Sequence, residues 1–416
     1  MKRFIISLAL LLAVPSMAQQ SITLEDCYRL VTKNYPLAKQ SQLLATQSNF
    51  DKDLITNSKL PQFNVAAQAT YQSDVIEMPI PNTSIEPLNK DQYRATLSIN
   101  QLIYNGGLTN ASLNVNAAQL KTKQKQVEVS LYQLKHQINQ LYFSILLAQE
   151  AAALLKEKQA QLQAKLKEVQ SGITYGLILP SSDNVLEAEL LKRKQQFQEL
   201  ESNKTTLIET LSSLTRQPLD VATVFQNPLI EIQVQDEINR PELDLFEFKK
   251  EEIAHSEAFI AKQNTPKLLG FATGGYGNPG LNMLDNSFQP FYTVGVKLNW
   301  NVFDWSANEN KRKSLAIHKD FVDNETEIFK LNTAIAINEQ QNTIEKLKAF
   351  IASDNEIIIL RKNVLQTADS QLKNGVITSS AYITELTNLY EDENTLEKHK
   401  IQLQLAKANY NVIKGQ

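Results

Sequence analysis

The stretch Leu113-Asn-Val-Asn-Ala-Ala-Gln-Leu120-Lys-Thr-Lys-Gln-Lys-Gln-Val127 begins the pattern that decides the fold. Apolar residues recur seven positions apart, and a second, mostly apolar row follows four residues after each. The first row is Leu113, Leu120, Val127, Leu134, Leu141, Ala148, Leu155, Leu162 and Val169. A heptad repeat of this length predicts a helix that supercoils against neighbouring helices. The predicted helix covers residues 108–171, which is about 96 Å at the α-helical rise.

A second heptad pattern runs from Leu315 to Leu372, with a one-residue slip of register near Ala336. Each long helix is predicted to end near a glycine turn, at Gly176 and at Gly375, because glycine terminates helices. A shorter helix follows each turn, at residues 183–214 and 379–413. Further helices are predicted upstream of the strands, at residues 23–57 and 241–264.

Four segments alternate between apolar and other residues: 62–72, 92–100, 268–277 and 292–302, the third being blurred by glycines. Alternation over about ten residues is typical of a membrane barrel strand, and also of a half-buried strand in a soluble sheet. Aromatic residues near the strand ends favour the barrel, because such barrels carry aromatic girdles at both interfaces. The predicted girdle residues are Tyr71, Tyr93, Tyr104, Tyr276, Tyr292, Trp300, Phe303 and Trp305.

Four strands are too few to close a barrel, and an open sheet edge is not tolerated in lipid. Several chains must therefore contribute, and three copies would supply twelve strands, within the known range of outer-membrane barrels.

The sequence contains an internal repeat. The dipeptides that end at Pro61 and Pro266 correspond at an offset of 205 residues, and Gly176 corresponds to Gly375 at an offset of 199. The predicted repeats are residues 19–217 and 239–416, joined by an inter-repeat equatorial segment, residues 218–238. Each repeat is predicted to contain helix, strand, strand, long helix and helix.

The N-terminus has the pattern of a cleaved signal peptide, residues 1–18. Lys2 and Arg3 precede an apolar run that is too short to span a bilayer, and small residues at Ser16 and Ala18 suit cleavage after Ala18. The formal net charge of −3 gives no electrostatic footprint for nucleic acid. No apolar run of 18 residues follows the signal peptide, so no transmembrane helix is predicted.

At this point the sequence resembles the TolC family of outer-membrane efflux proteins. The resemblance rests on the duplicated order, on segments 101–107 (Gln-Leu-Ile-Tyr-Asn-Gly-Gly) and 300–305 (Trp-Asn-Val-Phe-Asp-Trp), and on Arg240-Pro241-Glu242-Leu243. It implies a mainly α homotrimer with a small β part: a 12-stranded outer-membrane β-barrel continued by a 12-helix periplasmic tunnel. The implied function is that of a passive exit duct, not an enzyme, in a tripartite efflux or type I secretion system. The implied partners are outer-membrane lipid, a periplasmic adaptor protein and an inner-membrane RND or ABC transporter.

The resemblance also implies a site at the periplasmic tip, where the family contacts its adaptor and closes its aperture. The corresponding residues are Tyr175, Gly176, Leu177, Asp183, Glu187, Gly375 and Glu385. The second repeat departs from the family, because no charged residue follows Gly375 before Glu385. A helix N-cap is an alternative role for Asp183.

Other functions have little support in the sequence. Gly275-Tyr-Gly277-Asn-Pro-Gly280 matches a dinucleotide motif by letter but leads into a loop rather than a helix. The four histidines lack partners at metal-ligand spacing, so no metal or cofactor is expected. A soluble periplasmic coiled-coil scaffold or adaptor would explain the heptads but not the strands, and a surface or fibre protein would not need two matched halves.

Overall fold

The computed structural model describes residues 21–76, 86–232 and 237–416. The predicted signal peptide lies outside these residues. The helices are α1 Leu24–Asn34, α2 Ala38–Asn57, α3 Leu108–Thr174, α4 Ser182–Thr215, α5 Pro241–Ala261, α6 Ala307–Lys373 and α7 Ser379–Lys414. The strands are β1 Ser21–Ile22, β2 Gln62–Tyr71, β3 Asp91–Tyr104, β4 Val224–Phe225, β5 Lys267–Asn278 and β6 Gln289–Asn299.

The helix predicted over residues 23–57 is two helices. α1 is closed at its N-terminus by a capping box, in which Thr23 and Asp26 bond to each other's backbone N–H groups. It ends at Asn34 because the following Tyr35 precedes Pro36 and adopts an extended backbone (φ −60°, ψ 139°). A residue before proline is sterically disfavoured in the helical region.

The chain forms two compact units. The first contains the N-terminal residues up to Lys39, with Val127–Leu243 and Ile328–Gln416. The second contains Gln40–Gln126 and Asp244–Glu327. Both units take segments from each predicted repeat.

The first unit is helical around one main apolar core, with β1 and β4 paired in parallel beside it. Phe143, Ile145 and Leu146 of α3 are fully buried there. Tyr142 is also buried, and its hydroxyl donates to the carbonyl of Gln226 at 2.7 Å. α3 thus supplies much of this core, with Ile138 and Ile145 from the second heptad row and Tyr142, Phe143 and Leu146 from positions outside both rows.

One described helix, α3, contains an apolar window long enough to cross a bilayer, and half of that window is buried in the structure. The sequence contains no unbroken apolar run of this length, and α3 qualifies only by length and average composition. The expectation considered only unbroken apolar runs, whereas polar residues interrupt the window in α3. Its buried side chains belong to the helical core, which gives them a role without a membrane.

The second unit contains a four-stranded antiparallel sheet with strand order β2-β3-β5-β6. The register is continuous: Val65 pairs with Leu97, Leu97 with Gly274, and Gly274 with Tyr292. One irregularity interrupts it, between Leu102 and Tyr104 of β3. Neighbouring strands of this sheet are thus hydrogen-bonded along their length, and the outer edges of β2 and β6 have no partner strand in the described structure.

Candidate functional site: an apolar sheet face and a charged helical tip

The sheet has one apolar face that the described structure leaves largely exposed. Side chains opposite one another in a ladder share a face, and residues alternate between faces along each strand. Val65, Tyr292, Val294 and Val296 all lie on this face, with exposed fractions of 81%, 80%, 71% and 70%. Soluble monomers rarely expose a contiguous apolar surface of this kind, so the face must meet lipid or another protein.

The opposite face of the sheet is polar. Asn64, Ser98, Thr273 and Thr293 form one cross-strand row there. The hydroxyl oxygens of Ser98 and Thr273 are 3.2 Å apart and share a hydrogen bond. The alternation found in the sequence therefore separates two chemically different faces.

Two glycine–phenylalanine pairs join β5 and β6, and one of them involves a glycine that interrupts the alternation of β5. Phe271 lies opposite Gly295, and Phe291 lies opposite Gly275. A Cβ atom on Gly275 would lie 2.4 Å from the ring of Phe291, and one on Gly295 would lie 2.8 Å from the ring of Phe271. Each ring thus covers the glycine across from it, a known device for glycines in sheets. These rings occupy positions on the polar face.

The predicted girdle residues fall into two bands. Four lie toward the loop end of the sheet: Tyr71, Tyr93, Tyr276 and Tyr292. Four lie at the end that joins the helices: Tyr104, Trp300, Phe303 and Trp305. The sequence missed Phe288, whose ring stacks between those of Tyr93 and Tyr276 at centroid distances of 6.2 and 5.7 Å.

The tip of the first unit is made by two matching turns. The backbone of Gly176 and Gly375 is left-handed (φ +69° and +68°). Leu177 N–H donates to the Gly172 carbonyl at 2.8 Å, and Val376 N–H donates to that of Gln371 at 2.8 Å. Both long helices therefore end in the same glycine-closed motif. Tyr175 and Leu177, both predicted tip residues, are exposed there.

Of the three predicted acidic residues at the tip, only Glu385 forms an ion pair in the described structure. Asp183 lies within the first turn of α4, whose N-cap is Ser181, so the N-cap alternative for Asp183 is wrong. Within the described part of the chain, neither Asp183 nor Glu187 forms an ion pair. Glu385 does, with its carboxylate 3.6 Å from the guanidinium of Arg361.

The described structure instead places a four-residue cluster, here called the tip network, between α3 and α6. Lys165 pairs with Asp369 and, at 2.6 Å, with Glu168. Lys373 pairs with Asp369 at 2.9 Å and lies 3.6 Å from Glu168. Two cations and two carboxylates thus alternate, so each charge is neutralised. The sequence shows the spacings Lys165–Glu168 and Asp369–Lys373, but not that the two helices meet there.

The tip network shifts the pKa values of Lys165 and Asp369. Burial opposes charging of Lys165, but hydrogen bonds to Asp369 and Glu168 prevail and raise its pKa above the ordinary 10.5. Burial likewise opposes ionisation of Asp369, yet hydrogen bonds from Lys165 and Lys373 hold its pKa below 3.8. The ring of Tyr382 lies 5.2 Å from the Lys165 ammonium. Lys165 and Asp369 are therefore both charged across the neutral pH range.

No protein-family model and no curated protein sequence matches the chain. Solved structures do. The channel CusC has a TM-score of 0.72 at 12% identity, over 94% of this chain and 92% of its own. VceC, an outer membrane protein of Vibrio cholerae, has a TM-score of 0.67 at 14% identity, over 94% and 96%. The CmeC outer membrane channel of Campylobacter jejuni has a TM-score of 0.68 at 15% identity, over 94% and 85%.

This chain has the TolC-type fold. The resemblance inferred from the sequence is thereby confirmed at the level of the fold, across nearly the whole length of each protein.

The TolC-type fold also accounts for the glycine motif at residues 275–280. Gly275 and Gly277 lie inside β5, and Gly280 follows in the loop before β6. A dinucleotide motif must open a helix, so this one binds no nucleotide in that manner. Among the described residues there is no cluster of three or more potential metal ligands.

Proposed function

We propose that three copies of this chain form an exit duct through the outer membrane. The observation that carries the proposal is the sheet, which has a largely exposed apolar face and two unpaired edges, β2 and β6. Backbone groups at an open edge have no partner in lipid, whereas a closed barrel leaves none unpaired. Pairing β6 of one copy with β2 of the next, three times, gives a 12-stranded barrel with its apolar face outward.

The helices continue the duct in this proposal. α3, α4, α6 and α7 supply four helices per copy, and hence a 12-helix periplasmic tunnel. Apolar side chains on α6 support it, because several are exposed in the single chain and need a neighbouring copy to cover them. They include Phe321, Leu331, Ile359 and Leu360.

We propose that the duct is passive and is opened from its periplasmic tip. A periplasmic adaptor protein would engage the turns around Gly176 and Gly375, and an inner-membrane RND or ABC transporter would supply the energy. The predicted signal peptide fits export to the outer membrane of a Gram-negative-type cell. The tip network would hold the closed state, a role that the sequence assigned to Asp183 and Glu187.

Fractionation of cells that make the full-length chain tests the proposal. The protein should be in the outer membrane. After detergent correction, light scattering should give about three times the mass of the processed chain, which is slightly below the 47.0 kDa of the full sequence. A soluble periplasmic monomer or dimer would exclude the duct and leave the coiled-coil scaffold in its place.

A further inference from the structure

The charged residues of the sheet are sorted by face. The four strands contain four of them: Asp91, Arg94, Lys267 and Lys297. Asp91 pairs with Tyr71 at the outermost position, on the apolar face. The other three are on the polar face, because Arg94 pairs with Gln68, while Lys267 and Lys297 share the parity of Phe271 and Phe291 along their strands. The polar face therefore carries three cations and no carboxylate from any strand.

These three cations are not neutralised by the described structure. None of the three forms an ion pair within the described residues. Arg94 instead lies over the ring of Phe291, with its guanidinium carbon 5.6 Å from the ring centroid. A cation over an aromatic ring keeps its full charge.

The cations form two belts at opposite ends of the polar face. Lys297 pairs with Leu269, two residues from Lys267, so the two lysines are diagonal neighbours about 7–8 Å apart. Arg94 is in the row of Gly277 and Gln289, eight residues from Lys297 along β6, or about 27 Å. Between the belts the face carries neutral side chains such as Thr273 and Thr293.

We infer that the lumen of the barrel selects for anions, and that Arg94, Lys267 and Lys297 are the selecting residues. The inference rests on the proposed trimeric duct, in which the polar face lines the lumen. Threefold repetition makes a ring of three arginines near the loop end and a ring of six lysines near the helix end. Rings of lysine and arginine are the usual means of anion selection in pores, and low-dielectric walls focus their field onto the axis. The favoured cargo is a small or medium-sized molecule with net negative charge.

The test is the reversal potential of the purified, full-length trimer in a phosphatidylcholine bilayer across a tenfold KCl gradient at low salt. The wild type should pass chloride in preference to potassium. A unit charge about 10 Å from the axis changes the local ion concentration about twofold in water before screening. The combined variant Arg94→Gln, Lys267→Gln, Lys297→Gln should therefore lower the chloride-to-potassium permeability ratio at least about twofold.

Three variants control the test. Lys33→Gln removes one positive charge from α1, outside the sheet, and should leave the permeability ratio unchanged. Arg94→Lys keeps the charge and should keep the ratio. If the triple variant does not assemble, Lys297→Gln alone is the second choice, because its side chain is exposed. That variant should lower the ratio in the same direction.

A potassium-selective wild-type trimer would overturn the inference, and so would a ratio unmoved by the barrel variants. A ratio that instead follows Asp183→Asn with Glu187→Gln would overturn it too, because selection would then reside at the tip. These results leave the duct itself standing. A protein that forms no outer-membrane trimer overturns the duct and the inference together. If the wild-type trimer is closed, the permeability ratio is measured in the Asp369→Asn background, and a trimer that carries no current there as well overturns both.

Discussion

Replacing Asp369 by asparagine should weaken the closed state of the duct. Asparagine has nearly the same shape as aspartate, so the change removes one charge and little volume. Asp369 pairs with Lys165 and with Lys373 in the tip network. Lys165 is the sensitive partner, because its side chain is only 9% exposed and would keep Glu168 as its one carboxylate.

The size of the effect follows from burial. Hydrogen bonds to charged groups contribute about 1.5–3 kcal/mol. The Asp369 side chain is 29% exposed, so solvent screening favours the lower end, about 1.5 kcal/mol. If opening separates α3 from α6 at this point, the closed-to-open ratio falls roughly tenfold.

The pH dependence has a definite sign. The pKa of Asp369 is lower in the folded chain, so its stabilisation is present above about pH 4 and is lost as pH falls through the folded value. The pKa of Lys165 is higher in the folded chain, so its stabilisation is present below about pH 10.5 and is lost as pH rises through the folded value. The closed state should therefore be insensitive to pH between about 5 and 9.

Conductance of the purified trimer in a planar bilayer measures the closed-to-open ratio. Asp369→Asn should increase the open time about tenfold, whereas Asp183→Asn, which removes an aspartate without an ion pair in the described structure, should change it little. Lys165→Gln combined with Asp369→Asn should be less than additive, because the two side chains contact each other. Equal conductance of Asp369→Asn and wild type, or a larger effect of Asp183→Asn, would refute a closing role for the tip network.

Three further predictions concern assembly and stability. Val294→Lys should abolish trimer assembly, because a lysine on a lipid-facing strand position costs about 2–4 kcal/mol at mid-membrane. The control variant Thr293→Lys, on the other face, should still assemble. The gel mobility of unheated membrane extracts distinguishes trimer from monomer for both variants. Gly106→Ala should lower the melting temperature more than Gly107→Ala. Both glycines have positive φ, but only at Gly106 would the new Cβ atom clash, 2.0 Å from a threonine oxygen. Equal decreases in melting temperature would mean that backbone strain alone causes the loss of stability. Tyr142→Phe should destabilise the trimer by about 1–3 kcal/mol, because the Gln226 carbonyl loses its hydroxyl donor and the Ile22 carbonyl keeps only the Gln226 N–H. An unchanged thermal unfolding curve would contradict this.

Most of the fold could be predicted from the sequence, because its elements are long and strongly periodic. The heptads placed α3 at residues 108–171, and it ends three residues later, at Thr174. The break after α1 was missed because the extended helical pattern outweighed the single signal of Pro36. β5 was the weakest of the four predicted strands because four glycines interrupt its alternation. One of them, Gly275, is covered by the ring of Phe291 on β6, a pairing that exists only in the folded sheet.

The charged site at the tip could not be predicted, because it depends on which faces of two helices meet. Lys165 and Asp369 are 204 residues apart, and no local spacing connects them. The i,i+4 pair Asp369–Lys373 is visible in the sequence, but Glu309–Lys313 has the same spacing and lies far from any tip. Glycine turns, in contrast, are local signals, and they marked the ends of both long helices, at Gly176 and at Gly375.

The two halves correspond more closely in the positions of their left-handed residues than in their residue types. Four pairs of positive-φ residues lie at the offset of 199: Gly106 with Trp305, Gly107 with Ser306, Gly176 with Gly375, and Arg216 with Gly415. In three of these pairs one member is not glycine, although such a residue costs about 1–2 kcal/mol in this conformation. The same backbone turn has therefore been kept where glycine is absent, which supports the proposed duplication. At Trp305 the strained backbone places an aromatic side chain where the barrel would meet the inner surface of the membrane. The indole is 84% exposed and packs edge-on against Phe303, with ring centroids 4.7 Å apart. A glycine there would relax the backbone and remove the aromatic anchor, so the strained tryptophan is what an interfacial position favours.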